Sequence, residues 1–201
     1  MICASETGYW DSLYQRAEYA YGTDPSPFLV AQSFRLRRGM KALVPGDGEG
    51  RNSVWLASQG LEVDAIEASR RGIQKARFLA MQQQVSLAFH CCDLLDYPWS
   101  REKFDVLVSI YVHLPPHTRP TIHRNFALSL KPRGLLILEA FRGVLDETAA
   151  QFDPCLFSAE LLRGDFADLE IIELRETTAS MNDGFMHQGS ADVVMLLARR
   201  P

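Results

Sequence analysis

The chain has 201 residues, 47% of them hydrophobic, enough for one domain with a substantial core. Its formal charge of -4 gives no basic footprint for nucleic acid or an anionic membrane surface, so a small-molecule ligand is the expectation. No apolar run reaches the roughly 18 residues that span a bilayer, and the N-terminus MICASETGYWDSLYQ lacks a basic stretch followed by an apolar one; the sequence reads as a soluble, cytoplasmic protein.

The first segment, YWDSLYQRAEYAYGTDPSPFLV, is aromatic and lies outside the pattern that follows. It reads as the core of an N-terminal flank over residues 1–38, either a lid touching ligand or a helix packing Trp10, Leu13 and Tyr14 on the side of a sheet. After Gly39 short β-like runs alternate with helical stretches, the signature of a parallel sheet covered by helices. Strands are expected at Ala42–Val44, Val63–Ile66, Leu87–His90, Val106–Ile110, Leu135–Phe141, Ile171–Arg175 and Val193–Ala198. Helices are expected at Arg51–Gln59, Ser69–Gln83, Arg119–Leu130 and Ser158–Arg163. Gly60 and the KPRG turn supply stops for the first and third. On the second, Ile73, Ala76, Leu79 and Ala80 turn inward and the basic residues and glutamines form a solvated face. From Gly134 onward strands dominate, so an antiparallel element near the C-terminus is expected. Nothing marks a domain boundary. Residues 1–201 are read as a single domain.

Four cysteines, Cys3, Cys91, Cys92 and Cys155, show neither metal-ligand spacing nor a disulfide framework and are read as thiols, with no metal site.

The chemistry concentrates in LVPGDGEGRN, where Gly46, Gly48 and Gly50 stand between a strand and a helix. Such a turn brings backbone N–H groups close to a ligand at a helix N-terminus. It is not a dinucleotide fingerprint, since Arg51 occupies the sixth position of G-x-G-x-x-G, and no Gly-Lys-Ser/Thr follows for a P-loop. Two further strands end in acids, Glu67 and Asp93. Strand ends in an open α/β sheet share one crevice, where the first carboxylate can accept both ribose hydroxyls and the second an adenine amine. The ligand that fits is an adenosine without a pyrophosphate.

In that order and spacing, GDGEGRN, VDAIEAS, FDVLVSIYVHLPP, LKPRGLLILEAF and GFMHQGSADVVMLLAR resemble the class I S-adenosylmethionine-dependent methyltransferases, most of all the tellurite-resistance (TehB-like) branch, with some likeness to thiopurine methyltransferases. The resemblance runs from about Trp10 to the C-terminus. It implies a Rossmann-like α/β fold with a seven-stranded sheet in the order 3-2-1-4-5-7-6, strand seven antiparallel. It implies S-adenosylmethionine as cofactor and S-adenosylhomocysteine as product. Gly46, Asp47 and Gly48 would line the methionine portion, Glu67 with Ala68 would hold the ribose, Asp93 with Leu94 would flank the adenine, and Ile110 would lie under the cofactor. One departure stands out. The family carries an acid two positions before the first glycine, where this chain has Val44, and Asp47 is placed to take over by accepting from the cofactor ammonium.

The expected activity is methyl transfer to a small acceptor such as a thiol or a selenium or tellurium oxyanion; the alternative is a non-catalytic or degenerate S-adenosylmethionine-binding protein. Nucleic-acid methylation is disfavoured by the acidic balance and by LPPH in place of an amino-methylating D/N-P-P-Y/F motif. Methyl transfer from a sulfonium chiefly needs alignment, and a base helps when the acceptor must lose a proton. His113, stiffened by the prolines after it, and His187, in the hairpin before the last strand, are the candidates. Tyr21, Tyr111 and Arg142 are read as substrate-side residues. Arg51 pairs either with the cofactor carboxylate or with solvent, and Arg142 either with an anionic acceptor or with Glu139 or Asp146.

Overall fold

Each apolar run after Gly39 becomes a strand because its alternate side chains can be buried on two faces at once. In the computed structural model, which describes residues 7–143, 153 and 155–201, the strands are Lys41–Pro45 (β1), Glu62–Glu67 (β2), Ala88–Cys91 (β3), Phe104–Ile110 (β4), Leu130–Phe141 (β5), Glu170–Asp183 (β6) and His187–Arg199 (β7). The helices are Thr7–Leu13 (α1), Pro27–Ala31 (α2), Arg51–Ser58 (α3), Arg70–Gln82 (α4), Arg119–Ser129 (α5) and Ala159–Asp165 (α6). The seven strands form one sheet in the order β3-β2-β1-β4-β5-β7-β6. β7 runs antiparallel to both of its neighbours and the other pairings are parallel. This is the expected topology.

The period of two divides the core. Leu43 and Leu107 pack with Phe126 and Leu162 on one face, while Ala42, Val44, Val106 and Val108 pack with Leu56 and Leu29 on the other. Helix starts are fixed locally: the hydroxyls of Ser26, Ser69 and Ser158 accept backbone N–H groups in the first turns of α2, α4 and α6, each such cap being worth about 1 kcal/mol. No helix among the described residues is long and apolar enough to cross a membrane.

Three expectations are corrected. The last two strands are much longer than the apolar runs predict, pairing out to Asp183 opposite His187. Their outer halves carry Thr177, Ser180, Asn182, Gln188 and Ser190, a polar ladder held by backbone bonds and invisible to a hydrophobicity pattern. KPRG does not cap α5; the chain passes directly from Ser129 into β5, and Arg133 takes φ +67° while its N–H donates to the Arg200 carbonyl. Cys91 and Cys92 are free thiols, but Cys155 is buried and disulfide-bonded, so the thiol reading fails there. Cys3 lies outside the described residues.

Candidate functional site

β1, β2 and β3 are adjacent and parallel, so their carboxyl ends open on one side, and the glycine turn follows the first of them. Gly46, Gly48 and Gly50 all have positive φ, +61°, +63° and +95°, which lets the chain reverse twice and enter α3. The turn is tied to the next strand: Asp47 N–H donates to the Ile66 carbonyl at 3.0 Å, and Gly48 N–H donates to Glu67 Oε2 at 2.8 Å. The other Glu67 oxygen accepts the Ser69 N–H at 2.7 Å. Burial raises the Glu67 carboxyl above its usual range despite these backbone donors.

Gly50 shows why its position admits no side chain. A Cβ there would lie 2.7 Å from the Cβ and 2.8 Å from the Cα of Ala76, because α3 and α4 cross at this point. Gly50→Ala combines left-handed strain with overpacking, so a loss of about 2–4 kcal/mol is expected. In thermal unfolding that is a fall of roughly 5–15 °C, and an unchanged midpoint would contradict the contact.

Above the turn lies a cavity of about 770 Å3 lined by residues from every strand tip from β1 to β5, the N-terminal segment and the β6–β7 turn. This falls within the roughly 300–1,000 Å3 of small-ligand sites. Gly46, Asp47, Gly48, Arg51, Glu67, Ala68, Asp93, Leu94, Ile110, Tyr21, Tyr111, His113 and His187 all line it. Asp93, two residues past β3, accepts the Leu95 N–H at 2.8 Å through Oδ1. Asp47 accepts the Ser53 hydroxyl at 2.6 Å through Oδ2, while its buried Oδ1 has no partner. Burial pushes its carboxyl up to about 7.

Arg142 is the exception. It is not among the lining residues, and its guanidinium lies on Glu176 at 2.9 Å and Asp192 at 3.4 Å, so neither an acceptor nor Glu139 is its partner. It follows the last residue of β5, and its backbone N–H is already bonded to Asp192 on β7. The other suggested partner, Asp146, lies outside the described residues.

Arg51 is buried and lines the cavity, with Nη1 3.0 Å from Asp183 and donating to the Tyr21 carbonyl at 3.3 Å. It is therefore an internal tie rather than a solvated helix residue. Burial, reinforced by Arg51, holds the His187 imidazole down at about 4, and burial also lowers His113.

Several site residues escaped the sequence reading. Glu49 is buried, pairs with Lys75 and accepts the Ala20 N–H at 2.6 Å. Asn52 accepts the Ser26 N–H, and Ser26 donates to Glu139 at 2.6 Å. These polar groups tie residues 16–26 over the turn. α1 likewise packs at α4 rather than on the side of the sheet: Asp11 accepts the Ser69 hydroxyl, and Tyr14, with Trp10 stacked on it, sets its hydroxyl 2.9 Å from where a Gly48 Cβ would stand. An acid between two glycines, as Glu49 is, was the one legible signal among them.

Residues 42–134, just under half of the chain, match the profile of a family described as a methyltransferase domain. The fold is that of the methyltransferases. Among solved structures, TehB from Haemophilus influenzae aligns with a TM-score of 0.71 at 19% identity, covering 87% of this chain. This chain spans 61% of the TehB chain. A structure described under the conversion of a disulfide bond into a thioacetal group during echinomycin biosynthesis aligns at 0.78 and 18% identity, covering 96% of this chain and 91% of that one. The N-methyltransferase NodS from Bradyrhizobium japonicum aligns at 0.65 and 19% identity, covering 88% and 98%. At these identities the likeness to methyltransferase structures is one of fold. A comparison with curated proteins returned no significant match.

Proposed function

We propose that the protein is a cytoplasmic S-adenosylmethionine-dependent methyltransferase acting on a small-molecule acceptor, with no nucleic-acid or membrane partner and with residues 1–38 as a lid or flank of a single domain. The observation that carries this reading is the buried Glu67 carboxylate, which anchors the glycine turn through Gly48 while its flank opens on the cavity. Four acids line that cavity, Asp47, Glu49, Glu67 and Asp93, against one Arg. A ligand carrying a sulfonium and an ammonium suits that balance.

The residues fit the cofactor at three points. The unpartnered Asp47 Oδ1 suits an ammonium, Glu67 retains lone pairs for ribose hydroxyls, and Asp93 with Leu94 and Ile110 offers a polar edge beside apolar surface for adenine. Held there, S-adenosylmethionine would supply an activated methyl group, transferred as the acceptor's lone pair displaces the neutral sulfide. The acceptor proton leaves through His187, whose imidazole is neutral and therefore has a free lone pair. The apolar part of the lining, Ile110, Leu114 and Phe141 among it, disfavours water beside the acceptor.

Calorimetric titration with S-adenosylhomocysteine is expected to give saturable binding in the micromolar range, and absence of heat counts decisively against the reading. One observation favours the alternative, a binding protein without turnover: Val44 occupies the position of the family's acid. Incubation with S-adenosylmethionine and an acceptor panel separates the two, since only an enzyme releases S-adenosylhomocysteine. The resemblance to the TehB-like branch places thiols and selenium or tellurium oxyanions on that acceptor panel.

A further inference from the structure

Beyond the tips of β4 and β5 the cavity wall is built of rings. Tyr111 packs against Phe141 with ring centres 4.6 Å apart and against the His187 imidazole at 4.9 Å. Tyr21 meets His187 at 4.6 Å, and His113 lies nearly parallel to Phe141 at 5.8 Å. All five side chains line the cavity. Each ring is fixed by its neighbours, so the wall offers pre-ordered π surface at little entropic cost.

The charges behind that wall exclude an anion. Arg51, the one lining residue with a permanent positive charge, is already paired with Asp183 and with the Tyr21 carbonyl. Burial keeps His113 and His187 uncharged. Glu139, accepting the Ser26 hydroxyl, adds a carboxyl next to Tyr111. Arg142, which could have received an oxyanion, is held on Glu176 outside the cavity. His117 lies exposed at the rim rather than in the wall. An oxyanion entering here would lose its water and meet, among the described residues, no cation that is not already paired.

We propose that the acceptor end of this cavity selects an uncharged aromatic nucleophile, a ring carrying an O–H or S–H directly or through one carbon, and rejects selenium and tellurium oxyanions. The proposal rests on the methyl-transfer reading above and narrows it against the oxyanion chemistry of the resemblance. A flat ring replaces its hydration with stacking on Phe141 and Tyr111 and brings no charge that must be neutralised.

The test uses the full chain. S-adenosylhomocysteine is titrated first, and the saturated complex is then titrated with 2-naphthol, benzyl mercaptan, selenite, tellurite and benzylamine. The ring alcohol or ring thiol is expected to bind at least about tenfold more tightly than either oxyanion, and the pair separates oxygen from sulfur acceptors. Phe141→Leu keeps an apolar residue at the end of β5; it is expected to weaken the preferred ring probe about fivefold to tenfold while S-adenosylhomocysteine affinity stays within about twofold. Tighter binding of selenite, tellurite or benzylamine overturns the inference and leaves the methyl-transfer reading standing, as does failure of both ring probes to bind. Absence of S-adenosylhomocysteine binding removes both.

Discussion

Glu67→Gln is expected to weaken S-adenosylhomocysteine binding by roughly 30- to 100-fold and to lower the melting temperature by several degrees. The wild-type carboxylate accepts from Gly48 N–H at 2.8 Å and Ser69 N–H at 2.7 Å, one donor for each oxygen. A glutamine retains one acceptor but turns an NH2 group toward the other N–H, leaving a buried donor facing a donor. Losing one charge-assisted bond and misplacing one donor costs about 2–3 kcal/mol, or roughly 4–12 °C for a domain of this size. The ligand then loses twice, since the ribose hydroxyls meet a neutral amide and the glycine turn no longer has its anchor. About 2–3 kcal/mol of binding corresponds to the stated factor. Calorimetry and a thermal melt measure the two parts separately. A variant that melts earlier yet binds with wild-type affinity would assign Glu67 to the scaffold alone and remove the ribose from its role.

The division between what was readable and what was not follows from the range of the interactions. The strands and the crevice acids were legible because each depends on local signals: an apolar run of strand length, an acid at its end and glycines where backbone must reverse; the order of the strands came only with the family resemblance. Every strand tip so marked, from Gly46 to Ile110, does line one cavity. The reading failed where position depends on a partner distant in sequence. Arg142 follows a strand end, but its direction is set by Glu176 and Asp192, 34 and 50 residues further on. Ser26 and Glu139 meet across 113 residues, and nothing around either foretells it. Lys75 looked like one more solvated helix residue; only the folded chain sets Glu49 and the carbonyls of Arg16 and Glu18 around it. The outer halves of β6 and β7 failed for a related reason, since their stability comes from a backbone ladder and not from a buried face.

Asp47→Asn is expected to flatten the pH dependence of both stability and ligand binding around neutrality. Burial first, and then the neighbouring Glu67, raise the Asp47 carboxyl to about 7 against the lowering effect of the Ser53 hydroxyl. The sign follows from proton counting. Between the ordinary value of 3.8 and about 7 the folded chain holds a proton that the unfolded chain has released, so stability falls as pH rises through this window and levels off above it. Acting alone, the group would remove up to about 4 kcal/mol between pH 4 and pH 8. Asparagine keeps an oxygen for Ser53 and never ionises. The variant should therefore match wild type near pH 4 and exceed it in denaturant midpoint at pH 8. Ligand binding runs the other way. A cofactor ammonium at the unpartnered Oδ1 favours the ionised carboxylate, so below pH 7 binding should expel a proton, and affinity should rise with pH until Asp47 is ionised without help. Calorimetric titrations of S-adenosylhomocysteine at pH 6 in buffers of different ionisation enthalpy count that proton directly. Wild type should release a substantial fraction of one and the variant almost none. Equal release by both would show that the proton comes from another group and that Asp47 does not take the place of the acid missing at Val44.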